Sequence, residues 1–380
     1  FIRIDWEYHV EQLRHTDEFQ KRYHMTEASF NKLLDMLREY IEMNKKQSSC
    51  SSRGNVPIIP EIVLASGLRF LGGVGFAELA DIFGHSTSSS KRIVDRFLTA
   101  VNCCPGLLLK LPSTSDELKN HADQWDNLSS AFGLFHGVVG AIDGWLACTN
   151  KPSSRDATNQ TDFFSGHYQR YGLNVQAVCD SKLRFIYLSI NSPGKTNDAR
   201  AFQRCDSLQE WLDKLPEQYF LIGDNAYQLN STMLVPFQGS QKRNDINRSF
   251  NFYLSQLRIR VEMAFGRMTT KWRIFRKNLD FSLHKNTIII EAAAKLHNYV
   301  IESDGVHFNC SSGEMSIEDF GVETLELGPL ENRGYLPSSL DKDAQKELDQ
   351  KRRNNIVDEI RERQLLRPEY NVIRNNDANL

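Results

Sequence analysis

Apolar and polar positions recur with two different periods along this chain. Up to about residue 101, apolar side chains return every three to four positions, which predicts amphipathic helices. From about residue 128 onward, short apolar runs and period-two alternation predict strands instead. The predicted strands lie near residues 138–148, 171–179, 185–190, 219–223 and 233–237. Two long segments with helical periodicity then follow, over residues 247–271 and 285–302.

This order of elements predicts an α/β fold class. Three strands joined by hairpins, then a helix, two strands and a long helix, indicate a mixed sheet flanked by helices, preceded by an all-helical N-terminal domain. The predicted domains are a helical unit over 1–104, a linker over 105–127, a mixed α/β domain over 128–302 and a tail over 303–380.

The tail has two parts of different charge. Between Glu302 and Glu331 there are eight acidic residues and no Lys or Arg, which predicts an acidic loop or flap that DNA would repel. Residues 341–367 predict a charged helix. A solvated helix is the preferred interpretation, and a partner-binding or nuclear-localising role is the alternative.

Within the N-terminal domain, a short helix over 76–83, a glycine-containing turn and a longer helix from Thr87 have the layout of a helix-turn-helix. The longer helix carries Lys91, Arg92 and Arg96, which we predict to contact DNA. The alternative is an ordinary three-helix packing unit with solvated basic residues.

Composition narrows the class of protein. The chain has 380 residues and a formal net charge of −2, so binding to nucleic acid would have to rest on local basic patches. Its seven cysteines form no CxxC pair and no zinc-site spacing, which predicts reduced thiols in an intracellular protein. No apolar run reaches the length that spans a membrane.

Asp143 is the first candidate catalytic or metal-binding residue. It interrupts an apolar run flanked by glycines, and an ionised carboxylate in a buried strand is costly unless it is paired or binds a metal. The alternative is a turn formed by Asp143 and Gly144.

Two further acids match Asp143. Asp224 also ends an apolar strand beside a glycine, and Glu262 lies at the edge of the apolar stripe of a long helix. For Glu262 the alternative is an ion pair with Arg258, four residues earlier. Three converging carboxylates suit two-metal phosphoryl transfer with Mg²⁺, with Mn²⁺ as a second cation.

A basic segment surrounds Glu262. Between Lys242 and Lys285 there are eleven Lys or Arg residues and three acids. We predict that Arg258, Arg267 and Lys271 bind DNA beside the acidic site. The alternative is surface charge without a partner.

Four motifs, taken in order, resemble the successive blocks of PIF/Harbinger transposases. They are AIDG at 141–144, SPGKTND at 192–198, IGDNAY at 222–227 and VEMAFG at 261–266. The resemblance extends to Lys295–Asn298 and covers roughly residues 20–302. The chain departs from the family at Asn197, where a His is usual, and at Trp145, where a Thr-His pair often begins. These departures leave the acidic triad intact.

The resemblance implies an RNase H-like catalytic domain and cut-and-paste transposition, with Asp143, Asp224 and Glu262 as the catalytic, metal-binding triad and Asp198 as an auxiliary acid. It implies DNA as partner (terminal inverted repeats and target), a homo-oligomer of at least two copies, a separate Myb-like DNA-binding protein and a nuclear location. The competing hypotheses are a domesticated DNA-binding or scaffolding protein without transposition, and a nuclease without strand transfer.

Overall fold

The computed structural model describes residues 2–42, 57–305 and 342–368. The amino-terminal part of these ranges is helical, as predicted. Its helices are α1 (Trp6–His15), α2 (Phe19–Tyr23), α3 (Glu27–Ile41), α4 (Pro60–Leu71), α5 (Phe76–Phe83) and α6 (Thr87–Cys103). The apolar stripe of α3 is buried from Phe30 to Ile41, as its spacing predicted. Helices and sheet share one continuous hydrophobic core.

Helices α5 and α6 are joined by the tight turn that the sequence predicted. Gly84 ends α5 with a φ of 67°, a left-handed conformation that glycine adopts without strain. Ser86 then caps α6, because its side chain accepts a hydrogen bond from the Ser89 amide. The predicted start of the helix at Thr87 is confirmed.

The predicted linker over 105–127 contains a further helix, α7 (Ser115–Asp126). Thr114 and Glu117 form a reciprocal capping box at its start, and Leu118, Ala122 and Trp125 are buried. These three apolar positions have helical spacing, so the helix was readable from the sequence. It packs against the first strand rather than serving as a loose connection.

The sheet confirms the predicted mixed α/β class. Its strands are β1 (Val138–Cys148), β2 (Phe164–Ser165), β3 (Arg170–Cys179), β4 (Phe185–Pro193), β5 (Phe220–Ile222) and β6 (Met233–Leu234). The strand order is β2-β3-β1-β5-β6, with β4 also paired to β3. β1 is antiparallel to β3 and parallel to β5, so it lies at the centre of the sheet.

Helices cover both faces of the sheet. One face carries the two long helices α10 (Asp245–Lys271) and α11 (Leu283–Asp304). The other carries α7, α8 (Asp198–Gln203) and α9 (Asp206–Asp213) in a second, smaller core. The two predicted long helices are confirmed, each starting two residues earlier than the pattern indicated.

The motif at Lys295–Asn298 ties α11 to the sheet. The Asn298 side chain accepts a hydrogen bond from the Phe185 amide at 2.8 Å and donates one to the Phe185 carbonyl at 2.7 Å. The Asn298 side chain therefore satisfies both backbone groups of Phe185, as the backbone of a neighbouring strand would. His297 is fully buried and bonds the Leu183 carbonyl at 2.8 Å. The motif thus has a structural explanation.

The prediction of a solvated charged helix near the carboxyl end is wrong. α12 (Lys342–Glu362) packs against α10, and its residues Ile356, Val357 and Ile360 are buried. Arg352 and Arg353 stack on the rings of Phe220 and Phe237, with distances of 4.3 and 4.2 Å to the ring centroids. Such guanidinium stacking lets a highly charged helix cover apolar surface. The predicted acidic flap lies almost entirely outside the described residues.

In the described ranges, Cys103, Cys104, Cys148, Cys179 and Cys205 are all unpaired thiols. Among the described helices, none is both long enough and apolar enough to cross a membrane.

Candidate active site

Asp143 lies inside the central strand rather than at a turn. β1 continues through Gly144 to Cys148, and Asp143 pairs in register with Ala177 of β3. The alternative of an Asp-Gly turn is therefore excluded. Side chains alternate across a strand, so Asp143 faces the same side as Ala141, which packs in the core beneath α10.

Asp224 stands beside Asp143 because of the strand register. β5 pairs in parallel with β1, with Ile222 opposite Ala141, and the chain reaches Asp224 two residues later. The Asp224 carboxylate is held by the Ala226 amide, which donates to it at 2.8 Å.

Glu262 approaches the two aspartates from α10. Its carboxylate forms an ion pair with Arg258 at 2.5 Å, one helical turn earlier. The guanidinium of Arg258 also interacts with Asp143 and Asp224. The intrahelical ion pair with Arg258 is thus present, and Asp143, Asp224 and Glu262 lie near enough to one another to interact electrostatically. Joint binding of a metal by the three acids stays a prediction.

The electrostatics reflect this crowding of negative charge. Burial above all, followed by repulsion from Asp224 and Glu262, raises the pKa of Asp143 to about 8, although Arg258 opposes the shift. Burial also raises the pKa of Asp224, and repulsion from Asp198 adds to it. Burial disfavours the charge on Arg258, but the three acids more than offset it and raise the pKa of its guanidinium.

Asp198 joins the cluster through hydrogen bonds that the sequence analysis missed. Its Oδ1 accepts hydrogen bonds from the side-chain amides of Asn174 and Gln176, both at 2.9 Å. The Gln176 Oε1 in turn accepts a bond from the Tyr227 hydroxyl at 2.7 Å. Asn197, where the family usually has His, caps α8 by accepting from the Arg200 amide at 3.0 Å.

A sequence signal for these supporting residues existed. Asn174 and Gln176 alternate with apolar residues on β3, yet both are buried, and buried polar side chains need partners. Gly144 lies opposite Gln176, and its missing side chain leaves room for the Asp198 carboxylate. Asn174 and Gln176 therefore hold the Asp198 carboxylate in the space that Gly144 leaves, near Asp224.

The predicted DNA contacts on α10 need correction. Arg258 points at the acids. Arg267 and Lys271 follow Glu262 by five and nine residues, which places them about 140° and 180° around the helix from it. The Lys271 ammonium donates to the His24 carbonyl at 3.1 Å, at the junction with the N-terminal helices. The charge count was right, but these side chains do not flank the acidic site.

We expect Lys271→Ala to lower the free energy of unfolding by about 1–2 kcal/mol, because it removes a charged donor from a carbonyl between two parts of the fold. The sequence-based expectation was normal folding. Urea unfolding monitored by circular dichroism measures the effect, with the exposed Lys277→Ala as the matched control. Equal unfolding free energies for the two variants would contradict the assignment.

The basic residues of α6 divide into two groups. Arg96 donates to the carbonyls of Ile41 and Glu42 at 3.5 and 3.3 Å, so it serves the carboxyl end of α3 rather than facing outward. Lys91 and Arg92 are exposed. Contact of Lys91 and Arg92 with DNA stays a prediction.

The donor set suits a hard divalent cation. In the described ranges, no group of three His, Cys, Asp or Glu side chains is placed to hold a metal ion as it stands. Glu262 is engaged by Arg258, so joint coordination would require that ion pair to open. The four acids nevertheless supply only oxygen ligands, and Mg²⁺ uses one or two carboxylates per ion. Burial and repulsion from neighbouring acids raise the pKa values of Asp143 and Asp224, so a bound cation would favour their charged forms.

Comparison with known proteins agrees with this geometry. The chain is 22% identical to HARBI1 of Xenopus laevis, named a candidate nuclease, over 73% of this chain and 78% of that protein. It is 23% identical to the ALP1-like protein of Arabidopsis thaliana, over 75% and 71% of the two chains. It is 21% identical to HARBI1 of Mus musculus, over 64% and 68%. No solved structure matches the chain.

The matched family covers the acidic site itself. Residues 142–298 match the family described as DDE superfamily endonuclease, a span that contains Asp143, Asp224 and Glu262. This family generally uses divalent metals. The match confirms the resemblance to PIF/Harbinger-type DDE proteins drawn from the ordered motifs. Residues 142–298 are therefore similar to the DDE superfamily endonucleases.

Proposed function

We propose that this chain cleaves DNA with divalent cations held by Asp143, Asp224 and Glu262, and that it joins the cut ends to a target in cut-and-paste transposition. The observation that supports the proposal is the electrostatic interaction of these three acids with one another and with Arg258, in a segment that matches the DDE superfamily endonucleases. Mg²⁺ is the proposed cation, with Mn²⁺ as a substitute. A nuclear location, an oligomer and a Myb-like partner accompany the proposal as predictions.

The proposed reaction assigns each side chain a task. The cations, when bound, activate a water or hydroxyl and stabilise the leaving oxygen of an in-line displacement. Asp143, Asp224 and Glu262 would hold them. Asp198, fixed by Asn174 and Gln176, would add negative charge near Asp224.

Arg258 has a separate task in this proposal. Its guanidinium partly neutralises the acids in the absence of metal, so the cluster can stay assembled.

A purely scaffolding protein would not need buried carboxylates that repel one another, because such groups lower stability. The acidic cluster therefore favours catalysis over the scaffolding hypothesis.

The raised pKa of Asp143 predicts an unusual pH dependence of stability without divalent cations. Its carboxyl has a folded-state pKa of about 8, against 3.8 ordinarily. Between these values the folded chain binds more protons than the unfolded chain, so stability falls as pH rises. We expect the melting temperature to drop from pH 5 to pH 8, and added Mg²⁺ to stabilise the chain more at pH 8. Asp143→Asn should flatten both responses. Identical responses in parent and variant would contradict this assignment.

The experiment that tests the function supplies purified protein with DNA carrying the ends of its own element, a target plasmid and Mg²⁺. We expect both cleaved ends and joined products on a sequencing gel. Cleavage without joining would support the nuclease hypothesis instead. Binding without either product, in Mg²⁺ and in Mn²⁺, would overturn the proposal and favour the scaffolding hypothesis.

A further inference from the structure

An exposed aromatic residue, Tyr168, lies near the acidic cluster and has no role in the proposed cleavage reaction. Strands β2 and β3 form a hairpin whose tip consists of residues 166–169. Tyr168 lies in this tip with 56% of its surface exposed. From this tip β3 leads to Asn174 and Gln176, which hold Asp198. The carboxylates of Asp198, Asp143 and Asp224 also act on the Tyr168 phenol.

The tip is held in shape by its own contacts. The Tyr168 amide donates to the Ser165 hydroxyl at 3.4 Å, and the Gln169 side chain donates to the Gly166 carbonyl. The His167 ring packs edge-on against the Tyr168 ring, with centroids 4.6 Å apart. Ring pairing between Phe164 and Tyr171 supports the hairpin below. Tyr168 is thus presented on a braced turn.

The surroundings of this tip point to a nucleic-acid ligand. A tyrosine phenol is neutral at pH 7, so the ring does not add to the repulsion of DNA by the carboxylates. Burial of part of the ring, followed by the three carboxylates, raises the pKa of Tyr168 further. Arg170, directly after the tip, is exposed and can meet a phosphate. An aromatic ring next to a basic residue is the combination that binds unpaired nucleotides by stacking.

We propose that Tyr168, braced by His167 at the β2–β3 hairpin tip beside the acidic cluster, stacks on an unpaired nucleobase next to the phosphodiester to be cleaved. This inference rests on the proposed DNA cleavage, because it concerns the same site. Stacking needs a base whose face is free, so the ring engages a frayed or single-stranded nucleotide rather than intact duplex. The tip would then select DNA that is opened at the cleavage point.

The test measures binding in the Asp143→Asn background, so that no cleavage occurs. The probe is a duplex oligonucleotide with a four-nucleotide 3′ overhang that carries one 2-aminopurine, and a blunt duplex serves for comparison. We expect Tyr168→Ala to weaken binding of the overhang DNA about five- to a hundredfold and to lose fluorescence quenching. Tyr168→Phe should keep both. Tyr8→Ala, which alters an equally exposed tyrosine on α1, is the matched control.

The outcomes separate this inference from the proposed function. If the parent cleaves DNA and Tyr168→Ala binds the overhang like the parent, the stacking inference is wrong while the function stands. If Tyr168→Phe binds as weakly as Tyr168→Ala, the hydroxyl rather than the ring makes the contact, and stacking is again wrong. If the parent neither binds nor cleaves DNA, both proposals fail together.

Discussion

Replacing Asp143 by asparagine should abolish DNA cleavage while DNA binding stays unchanged or becomes slightly tighter. Asparagine keeps the size of the side chain but loses the charge that holds a divalent cation. Asp224 and Glu262 both repel the Asp143 carboxylate, so the loss of its charge affects the whole cluster. We expect at least about a thousandfold lower cleavage rate, the scale on which metal-assisted charge stabilisation acts.

Stability is expected to move in the opposite direction for this variant. Asp143→Asn removes a buried, repelled carboxyl, so the metal-free variant should melt at the same temperature as the parent or higher at pH 8. Filter binding and single-turnover cleavage measure the two functional effects, and Asp213→Asn on the surface of α9 is the control. Parent-like cleavage by purified Asp143→Asn would rule out the triad.

The second large effect is expected from Gly144→Ala. A Cβ atom at this position would overlap Oδ1 of Asp198 and lie 2.7 Å from Nε2 of Gln176. The added methyl group must therefore displace the Asp198 carboxylate and disturb its hydrogen bonds with Asn174 and Gln176. A displacement of about 1 Å in a catalytic site can cost roughly a hundredfold in rate, and we expect a loss of this size.

The control for this variant is Gly75→Ala, where an added Cβ meets only the Glu78 carboxylate at 4.0 Å. Rates are compared after confirming by circular dichroism that both variants fold. A Gly144→Ala variant that is folded and fully active would show that the position of Asp198 is unimportant for cleavage.

The triad could be predicted from sequence because its signal is local. Asp143 and Asp224 each follow an apolar run that is long enough for a buried strand, and Glu262 sits at the edge of a helical stripe. Burial makes an unpaired carboxylate costly, so its presence in such runs indicates chemistry. The class of fold followed from the same periodicities.

The supporting residues were missed because their partners are distant in the chain. Gln176 contacts Tyr227, fifty-one residues later, and Asn174 contacts Asp198, twenty-four residues later. Only the paired strands and α8 bring them together. Local alternation indicated where their side chains point but not what they meet.

Charge counts were the weakest guide to binding surfaces. The eleven basic residues around Glu262 predicted a DNA-binding surface, yet Lys271 binds the His24 carbonyl and Arg258 binds Glu262. A net count does not record which side of a helix each residue occupies. The high charge of α12 likewise suggested a solvated helix, although its three buried residues Ile356, Val357 and Ile360 pack it against the fold.

The most direct test of the metal site is cleavage by the variant Asp143→Cys in Mg²⁺ and in Mn²⁺. A thiolate is a softer ligand than a carboxylate and binds Mg²⁺ poorly, whereas Mn²⁺ accepts it more readily. The account predicts that the parent cleaves DNA with either cation, and that the variant is inactive in Mg²⁺ but regains part of its activity in Mn²⁺. Equal activity of the variant in both cations, or cleavage by the parent in excess EDTA, would contradict it.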